Sequence, residues 1–448
     1  MKKLLWKLFL VLALTSLIIT ACAQTPAPTE APTEEPMEEP MDDGEEMEEP
    51  EEPAEEEMMA TTLSLGYTAS ITGRLNVSSG RQDNGLQLYI EDLMNAGGFE
   101  VGNEVVTFEP IFYDDESTNE RVQELYTRLA TEDNADFLIS PYSSGLTGAA
   151  AVIAEQYGKV MITTGAASDS TYKLGYTGVF QTYTPASRYL AGAVDHMQAL
   201  DPDLTQVAFV HENDQFSTDV VTAAKDYAES LGYEVVLFEG YDSETTDFGP
   251  FINKIEAEAP QALLGGGHFQ DGSTFARQLY EKGVDLAYVA LLVAPPEPDF
   301  AELGDAAFGV VGPSQWEPLA EFSPESAEAA GLEWFGPTGD EFVERYEAAY
   351  DEEPSYHSAG GYVAGLILEK AIMDAGSYDT DAVKAALDAM DILTFYGRIM
   401  FDTSAESHGL QIGHSMIYIQ WQGASGELAK EVVWPPEGAT AETIYPLP

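Results

Sequence analysis

The stretch that decides the fold runs from Asp136 to Ser168 and reads DFLISPYSSGLTGAAAVIAEQYGKVMITTGAAS. Its two short apolar runs, 136–140 and 159–163, predict buried strands, because neither is long enough to form a helical stripe. The segment between them, 149–157, predicts a helix. Two strands joined by a helix are typical of parallel neighbours in one sheet. The stretch therefore indicates an α/β fold built from βαβ units.

Each of these strands ends in a turn of small and hydroxyl-bearing residues. Ser143 and Ser144 follow the first strand, and Ala166, Ala167 and Ser168 follow the second. Parallel strands place both turns at the carboxyl edge of the sheet, where open α/β sheets bind ligands. A serine that caps the next helix leaves other N–H groups free for a small anion. The turns predict a cup for a carboxylate or amide oxygen, with two ordinary helix caps as the alternative.

The first residues have the composition of an export signal. Three lysines lie within 1–7, residues 8–19 are apolar, and Thr20-Ala21-Cys22 follows. A basic segment, a short apolar segment and small residues predict a secretory signal rather than a membrane span. The sequence 19–22 resembles a bacterial lipobox, which implies that Cys22 is acylated and becomes the first mature residue. A signal cleaved elsewhere is the alternative, and with a single cysteine in the chain no disulfide is expected.

Residues 23–60 form a biased segment that holds sixteen acidic residues and no basic one. Such a segment buries too little apolar surface to offset its ordering entropy, and its charges favour extension. We expect a disordered tether that holds the folded part away from a membrane. An acidic interaction tail is the alternative.

The charge of the remaining chain excludes some partners. The whole chain has a formal net charge of −59, and 16 basic and 62 acidic residues remain after Thr61. A strongly negative surface argues against nucleic acid and anionic lipid as partners. Nearly 390 residues exceed what one core comfortably supports, so we expect two lobes.

The element pattern before and after the opening stretch supports two similar lobes. A strand at 63–67, a loop at 68–85, a helix at 86–94, a strand within 101–113 and a helix at 119–134 lead into that stretch. The second half repeats the pattern, with strands at 206–210, 233–238, 262–265 and 286–291 and helices at 217–231, 248–259 and 273–282.

We therefore predict two doubly wound parallel sheets with flanking helices, a hinge and a cleft between them. Lobe 1 is expected to comprise 61–183 and 315–390, completed by helices at 339–350, 359–375 and 380–390. Lobe 2 is expected to comprise 184–314 and 391–448. Segments 395–399 and 416–421 are predicted to be its closing strands.

A series of short motifs in this order resembles the extracytoplasmic solute-binding proteins of ABC transporters, in the branched-chain amino acid and amide group. The resemblance covers nearly all of 63–435 and implies a type I periplasmic-binding-protein fold. Its markers are Asn95-Ala96-Gly97-Gly98, Tyr113-Asp114-Asp115, Ser143-Ser144 with Thr147, and segments 162–168, 179–182, 211–216, 246–248 and 304–307.

The resemblance also implies a ligand site. In this family the first lobe holds the ligand carboxylate with residues that match Ser143, Ser144 and 166–168. The second lobe closes over the ligand with aromatic side chains, for which the matching positions are near Phe216 and within 266–270, including His268 and Phe269.

One position departs from the family pattern. Amino-acid binders place a glutamate after the strand that matches 286–291, where it neutralises the ligand ammonium. The corresponding place falls near Leu292, and segment 291–296 carries no acid. Glu297 could fill the role only if the loop is shifted. A buried ammonium without a carboxylate would be costly, so a neutral or des-amino ligand is as well supported as an amino acid.

Other residues near the expected lobe crossings are candidates with two interpretations. Trp316 could stack on a ligand or plug the hinge. Tyr183, Ser187 and Arg188 face the same choice, and Arg188 could pair a carboxylate ligand or a protein acid.

Enzyme signatures are missing from the sequence. The six histidines show no metal-binding spacing, and neither a Gly-x-Ser-x-Gly elbow nor a complete phosphate loop is present. We expect no enzymatic activity, cofactor or metal. The resemblance implies a monomeric, lipid-anchored binding protein whose partners are a small solute, an ABC permease and its ATPase subunits. A sensor that signals to a membrane receptor uses the same fold, and the sequence leaves that alternative open.

Overall fold

Three β-sheets organise the part of the chain that the computed structural model describes, residues 58–320, 322–424 and 426–448. The predicted signal segment, Cys22 and all but the last three residues of the predicted tether lie outside it. The first strand begins at Met59, two residues before the predicted start of the folded part. Within the described residues, none of the helices combines the length and apolar character needed to cross a membrane.

The strands are β1 Met59–Ala69, β2 Phe99–Val101, β3 Glu104–Asp114, β4 Phe137–Ile139, β5 Met161–Thr163, β6 Val179–Gln181, β7 Gln206–Glu212, β8 Glu234–Tyr241, β9 Ala262–Gly266, β10 Tyr288–Leu291, β11 Val311–Ser314, β12 Glu333–Trp334, β13 Asp391–Thr394, β14 Gly397–Met400, β15 Ile417–Ala424 and β16 Glu427–Trp434.

The helices are α1 Asn76–Ala96, α2 Asn119–Thr131, α3 Ser144–Gln156, α4 Ala186–Tyr189, α5 Ala191–Leu200, α6 Gln215–Ser230, α7 Gly249–Glu258, α8 Phe269–Lys282, α9 Pro324–Ala330, α10 Gly339–Tyr350, α11 Tyr356–Ala375 and α12 Thr380–Ala389.

The two large sheets share one winding order. The first runs β2-β3-β1-β4-β5-β6, and the second runs β16-β15-β11-β10-β9-β7-β8. The orders β3-β1-β4-β5-β6 and β8-β7-β9-β10-β11 are equivalent, and all their strand pairs are parallel. Each order reverses once, between β1 and β4 and between β7 and β9. Ligands of open α/β sheets bind at such reversals, so the winding fixes where a site can form.

The apolar residues of each strand explain why both sheets are covered by helices. Strands β4, β5, β6, β9 and β10 are buried along their whole length, as expected for parallel strands with helices on both faces. The two-lobed α/β fold predicted from the sequence is confirmed.

Three connections join the lobes, and hydrogen bonds link one of them to the other two. Thr184 lies after β6, Gln315 lies after β11, and His414 lies before β15. The Thr184 N–H donates to Gln315 Oε1 at 2.9 Å, and Thr184 Oγ1 lies 2.7 Å from His414 Nδ1. Bending at one crossing must therefore strain the others, so the crossings act as one hinge.

One predicted closing strand belongs elsewhere. Segment 395–399 was expected to be a closing strand of the second lobe, but β14 pairs with β13 in a separate three-stranded sheet with β12, which belongs to the predicted first lobe. That part of the prediction is wrong. The antiparallel strands that do extend the second sheet are β15 and β16, and β15 covers most of the predicted 416–421.

Helix α1 begins ten residues before the predicted helix at 86–94, inside the segment expected to be a loop. Its Ser and Gly residues argue for a loop by propensity, but they serve packing against α11. A Cβ on Gly85 would lie 1.8 Å from the Ser358 carbonyl oxygen, and one on Gly361 would lie 2.0 Å from the Gln82 carbonyl oxygen. The glycines allow the two helices to approach closely.

The substitution Gly85→Ala should destabilise the protein by about 3 kcal/mol, because the new methyl group meets backbone that has no room to move. The matched change Gly80→Ala, in the same helix with no atom within 4 Å of the new Cβ, should instead stabilise by up to about 1 kcal/mol. Thermal unfolding of both variants measures the difference. Equal melting temperatures would contradict the packing argument.

A second prediction at the α1–α11 contact concerns pH. Burial raises the pKa of Glu369 to about 7, although the Tyr89 hydroxyl donates to it at 3.0 Å. The folded state thus holds a proton that the unfolded state releases near pH 4.5, so stability falls as pH rises from about 4.5 to 7. Because glutamine does not titrate, Glu369→Gln should be more stable than the wild type by up to about 3 kcal/mol at pH 7. At pH 4 this gain in stability should be almost absent. Melting temperatures across this range, with exposed Glu347→Gln as control, check the sign.

Candidate functional site

A ring-lined cavity lies where the carboxyl ends of the two sheets meet. The first lobe contributes residues after β4 and β5 and at the start of α11, and the second contributes residues from α4, α6 and the ends of β9 and β10. The remaining volume is about 10 Å³, roughly one water molecule. A larger solute must therefore separate the lobes to enter. The ring-bearing lining residues are Tyr142, Tyr183, Tyr189, Phe216, His268, Tyr356 and His357.

The two predicted turns meet beside this cavity. Ser144 Oγ accepts hydrogen bonds from the N–H groups of Ala167 and Ser168 at 3.1 and 3.0 Å. The hydroxyl oxygen thus occupies the place where a ligand oxygen would meet these donors. A ligand carboxylate can use them only if it displaces or shares Ser144 Oγ.

Ser143 lies at the amino end of α3 with a φ of +81°, a backbone conformation that non-glycine residues rarely adopt. Its N–H donates to the Gly165 carbonyl oxygen at 3.1 Å, which joins the two turns, and its side chain accepts from the Leu146 N–H at 3.4 Å. The turn therefore holds an unfavourable conformation to bring the ends of β4 and β5 together.

Ser168 connects the first lobe to helix α6 of the second. Its hydroxyl donates to Asp219 Oδ2 and accepts from Gln215 Nε2 at 3.1 Å. Ala166 contributes backbone only, and its carbonyl oxygen accepts from Gln181 Nε2 at 3.3 Å. Of the predicted cup, Ala167 alone contributes directly to the cavity wall.

A second connection between the lobes runs through two rings. Tyr142 Oη, from the first lobe, lies 2.8 Å from His268 Nδ1, and His268 Nε2 lies 3.0 Å from Asp214 Oδ2. Burial opposes a charge on His268, but Asp214 outweighs it and raises the pKa of His268 above its ordinary value. The phenol and imidazole close the cleft on this side.

A carboxylate lies in the cleft, five residues after the place counted from the sequence. Glu297 is fully buried, and its Oε1 accepts from Ser78 Oγ at 3.1 Å and from His357 Nδ1 at 2.5 Å. Its Oε2 lies 3.3 Å from Arg81 Nε. The loop is thus shifted in the way that the sequence analysis required for Glu297 to reach the cleft.

Electrostatics leave Glu297 ionised and paired. Burial raises the pKa of a carboxyl group, but the His357 hydrogen bond and the Arg81 charge outweigh it and hold the pKa of Glu297 below its ordinary value. Burial also lowers the pKa of His357. Arg81 and His357, like Ser78, belong to the first lobe. The Arg81 guanidinium therefore takes the place beside Glu297 that a ligand ammonium would otherwise take.

The remaining predicted site residues lie at different distances from the cavity. Phe216, His268 and Tyr183 line it, with the Tyr183 hydroxyl 3.4 Å from the Tyr356 carbonyl oxygen. Phe269 packs partly buried against the apolar core of the second lobe and does not line the cavity. Trp316 is buried and stacks edge-on with Phe342 and Phe395. This arrangement corresponds to the hinge-plug alternative.

Sequence reasoning missed the contributions of Arg81, Tyr356 and His357. Arg81 falls in the segment expected to be a loop, and the other two open α11, which was predicted to begin three residues later. A useful signal was present in Ser355, which caps α11. The isolated histidine that follows it gives no indication of its partner 60 residues away.

Comparison with known proteins places this geometry in a family. Residues 62–427 match the family model described as periplasmic binding protein. The chain belongs to the periplasmic binding protein family. Its members bind solutes and are not enzymes, so the protein has a solute-binding role rather than a catalytic one.

Two curated relatives cover most of the chain. A Leu/Ile/Val-binding protein homolog 7 of Brucella melitensis is 24% identical over 393 residues, which are 86% of this chain and 94% of the relative. A leucine-, isoleucine-, valine-, threonine- and alanine-binding protein of Pseudomonas aeruginosa is 23% identical over 353 residues, 79% of this chain and 89% of the relative.

Solved structures show the same two-lobed fold. A branched-chain amino acid transporter substrate-binding protein of Streptococcus pneumoniae, in complex with isoleucine, has a TM-score of 0.68 and 20% identity and covers 84% of this chain and all of its own. An ABC transporter solute-binding protein of R. palustris, in complex with benzoate, has a TM-score of 0.67 and 19% identity and covers 84% of this chain and 98% of its own.

Removing the cation beside Glu297 should open the cleft. In Arg81→Gln the buried carboxylate loses its guanidinium, which should weaken the closed state by about 3 kcal/mol. Hydrogen–deuterium exchange at 140–147 and 265–272 should then be about 100-fold faster. Arg121→Gln, which removes an exposed ion pair with Glu124, is the control and should change nothing at these segments. Unchanged exchange in Arg81→Gln would contradict the role of this pair in closure.

Proposed function

We propose that the protein captures a small solute without an ammonium group, either neutral or a carboxylate, and delivers it to an ABC permease. One observation carries the choice of solute. Glu297, the carboxylate in the cleft, is already neutralised by Arg81 and hydrogen-bonded by His357, both of the first lobe. The proposal therefore favours amides and small carboxylates over amino acids.

The energetic argument is that of a buried charge. A ligand ammonium beside Glu297 would compete with Arg81, whose side chain is only 6% exposed and also contacts Asp299 and Glu352. The ammonium would then be a second buried cation on a carboxylate that is already paired. An uncompensated buried charge costs several kcal/mol. A neutral amide or a des-amino carboxylate avoids this cost.

The lining supports a solute with an apolar body and one polar end. Rings of Tyr189, Phe216 and Tyr356 offer apolar and edge-on contacts. The N–H of Ala167 donates to Ser144 Oγ and becomes available to the polar end of a solute that displaces this hydroxyl. The relatives named for branched-chain amino acids and the neighbour that holds benzoate show that this fold serves both kinds of solute. The fold alone therefore does not decide between these solutes. Our choice rests on Glu297, which is already paired within the protein.

Capture is proposed to occur by hinge closure. The contacts of Tyr142 with His268 and of Ser168 with Gln215 bridge the lobes, so they form only when the cleft shuts. A solute that touches both walls adds its own contacts to the same state and shifts the population toward it. Release to a permease would require these bridges to break again.

The partners follow from the family and from the amino-terminal sequence. We propose a permease and its ATPase subunits as the recipients, and a lipid anchor on Cys22 that holds a monomer at the extracytoplasmic face of the membrane. Cys22 lies outside the described residues, so the anchor rests on the sequence 19–22 alone.

Calorimetric titration of the full chain with leucine and with its des-amino analogue 4-methylpentanoate tests the solute class. We expect 4-methylpentanoate to bind at least about tenfold more tightly, because it brings no ammonium to the paired Glu297. Tighter binding of leucine would contradict the proposed class but not a solute-binding role.

A matched pair of variants tests the cavity itself. Phe216→Ala should weaken binding of the analogue by about 2 kcal/mol, through loss of ring contact and buried area. Phe238→Ala, which removes a partly exposed ring from the same lobe, should leave binding unchanged. Equal effects of the two changes would show that the solute binds elsewhere.

A further inference from the structure

Acidic side chains and one imidazole converge on the wall of the second lobe, on the far side of His268 from the cleft. Glu212 ends β7, Asp214 caps α6 and His268 precedes α8. One potential ligand atom from each of these residues lies within 4.8 Å of the other two. Asp271, in the first turn of α8, lies next to them, with its Oδ1 2.8 Å from the His268 N–H.

Glu212 is the residue that points to a ligand. Its side chain is fully buried, and Oε2 accepts no hydrogen bond from any group in the described residues. Oε1 lies 2.8 Å from Arg74 Nη1 but lacks the alignment of a hydrogen bond. Arg74 thus contacts Oε1 only, and Oε2 lies without a donor beside Asp214, Asp271 and His268. A buried carboxylate oxygen without a donor is costly unless a cation binds it.

The backbone makes room for these carboxylates to converge. Gly267 lies between them, and a Cβ at this position would lie 2.3 Å from Asp271 Oδ2 and 2.5 Å from Glu212 Oε2. The two oxygens therefore flank the space that glycine leaves open. Any other residue would push the carboxylates apart.

The imidazole is held as a metal ligand would be. His268 Nε2 lies 3.0 Å from Asp214 Oδ2, about the separation of adjacent ligands around an ion with bonds near 2.1 Å. His268 Nδ1 faces Tyr142 Oη at 2.8 Å, and metal-binding histidines usually bond their second ring nitrogen in this way.

We propose that Glu212, Asp214 and His268, supported by Asp271, bind one divalent first-row transition-metal ion of the zinc class. Carboxylate oxygens with an imidazole nitrogen suit such ions. The ion would take the place of the proton shared between His268 Nε2 and Asp214, and it would give Glu212 Oε2 its missing partner. This site shares His268 with the proposed solute cavity but uses its Nε2, which faces Asp214, and it does not depend on which solute binds in the cavity.

An entry path is present beside the cluster. A cavity of about 170 Å³ is lined by His268 and Asp271 together with Arg74, Gln270 and the loop 243–246. A hydrated ion can approach through this cavity without passing between the rings of the solute site. Arg74 stands at its edge with 31% of its side chain exposed, so it can move aside.

Calorimetric titration of the chelator-stripped full chain with Zn²⁺ tests the site. We expect one tight zinc per chain, and Glu212→Gln should weaken its affinity at least about tenfold. Glu229→Gln, in α6 of the same lobe with 49% side-chain exposure, is the matched control and should leave it unchanged. Weak zinc binding by other acidic residues is the same in both variants, so a difference between them reports on Glu212 alone. Absence of a tight zinc, or equal affinity in Glu212→Gln and wild type, would overturn the proposal.

A measurement on the unaltered chain covers the case in which Glu212→Gln does not fold. Crystals soaked in Zn²⁺ should show anomalous scattering at the zinc edge about 2.0 to 2.2 Å from Glu212, Asp214 and His268. A signal found only elsewhere on the molecule would overturn the proposal. Neither experiment uses a solute, so failure here leaves the proposed function to its own test.

Discussion

A buried carboxylate needs a partner, and in this protein the partner of Glu297 comes from the opposite lobe. Glu297 follows β10 in the second lobe, whereas Arg81 and His357 belong to helices of the first. In the closed arrangement the charge of Glu297 is compensated without any contribution from a solute. In the function that we propose, closure and selectivity rest on one interaction, because the contact that holds the lobes together also occupies the acid that an ammonium would need.

The equal winding of the two sheets explains why this interaction is possible. Each sheet reverses its order beside its first parallel strand, so each presents its loops at a carboxyl edge. The hinge bonds of Thr184 with Gln315 and His414 hold these edges opposite each other. Tyr142, after β4, therefore meets His268, after β9, although 126 residues separate them. The site consists of loop residues and of residues from α4, α6 and α11, and the sheets position both.

The sequence predicts those features that depend on neighbours along the chain. The strands at 137–139 and 161–163, the caps near Ser143 and the two-lobed fold all follow from local patterns. Features that depend on distant partners were missed. The glycines of α1 suggest a loop until Gly361 of α11 is placed against them. Glu297 reaches the cleft only with a shifted loop, and nothing near it in the sequence indicates its contact with Arg81, 216 positions earlier. Local propensity carries no information about either contact.

His268 connects the solute cavity with the acidic cluster behind it. Its Nδ1 faces Tyr142 across the cleft, and its Nε2 faces Asp214 on the second lobe. A cation bound at Nε2 would fix the proton on Nδ1, and Nδ1 would then donate to the Tyr142 hydroxyl of the first lobe. Occupancy of the cluster would therefore favour the closed cleft without touching the solute. By linkage, a solute that closes the cleft would raise the affinity of the cluster for its ion by the same factor.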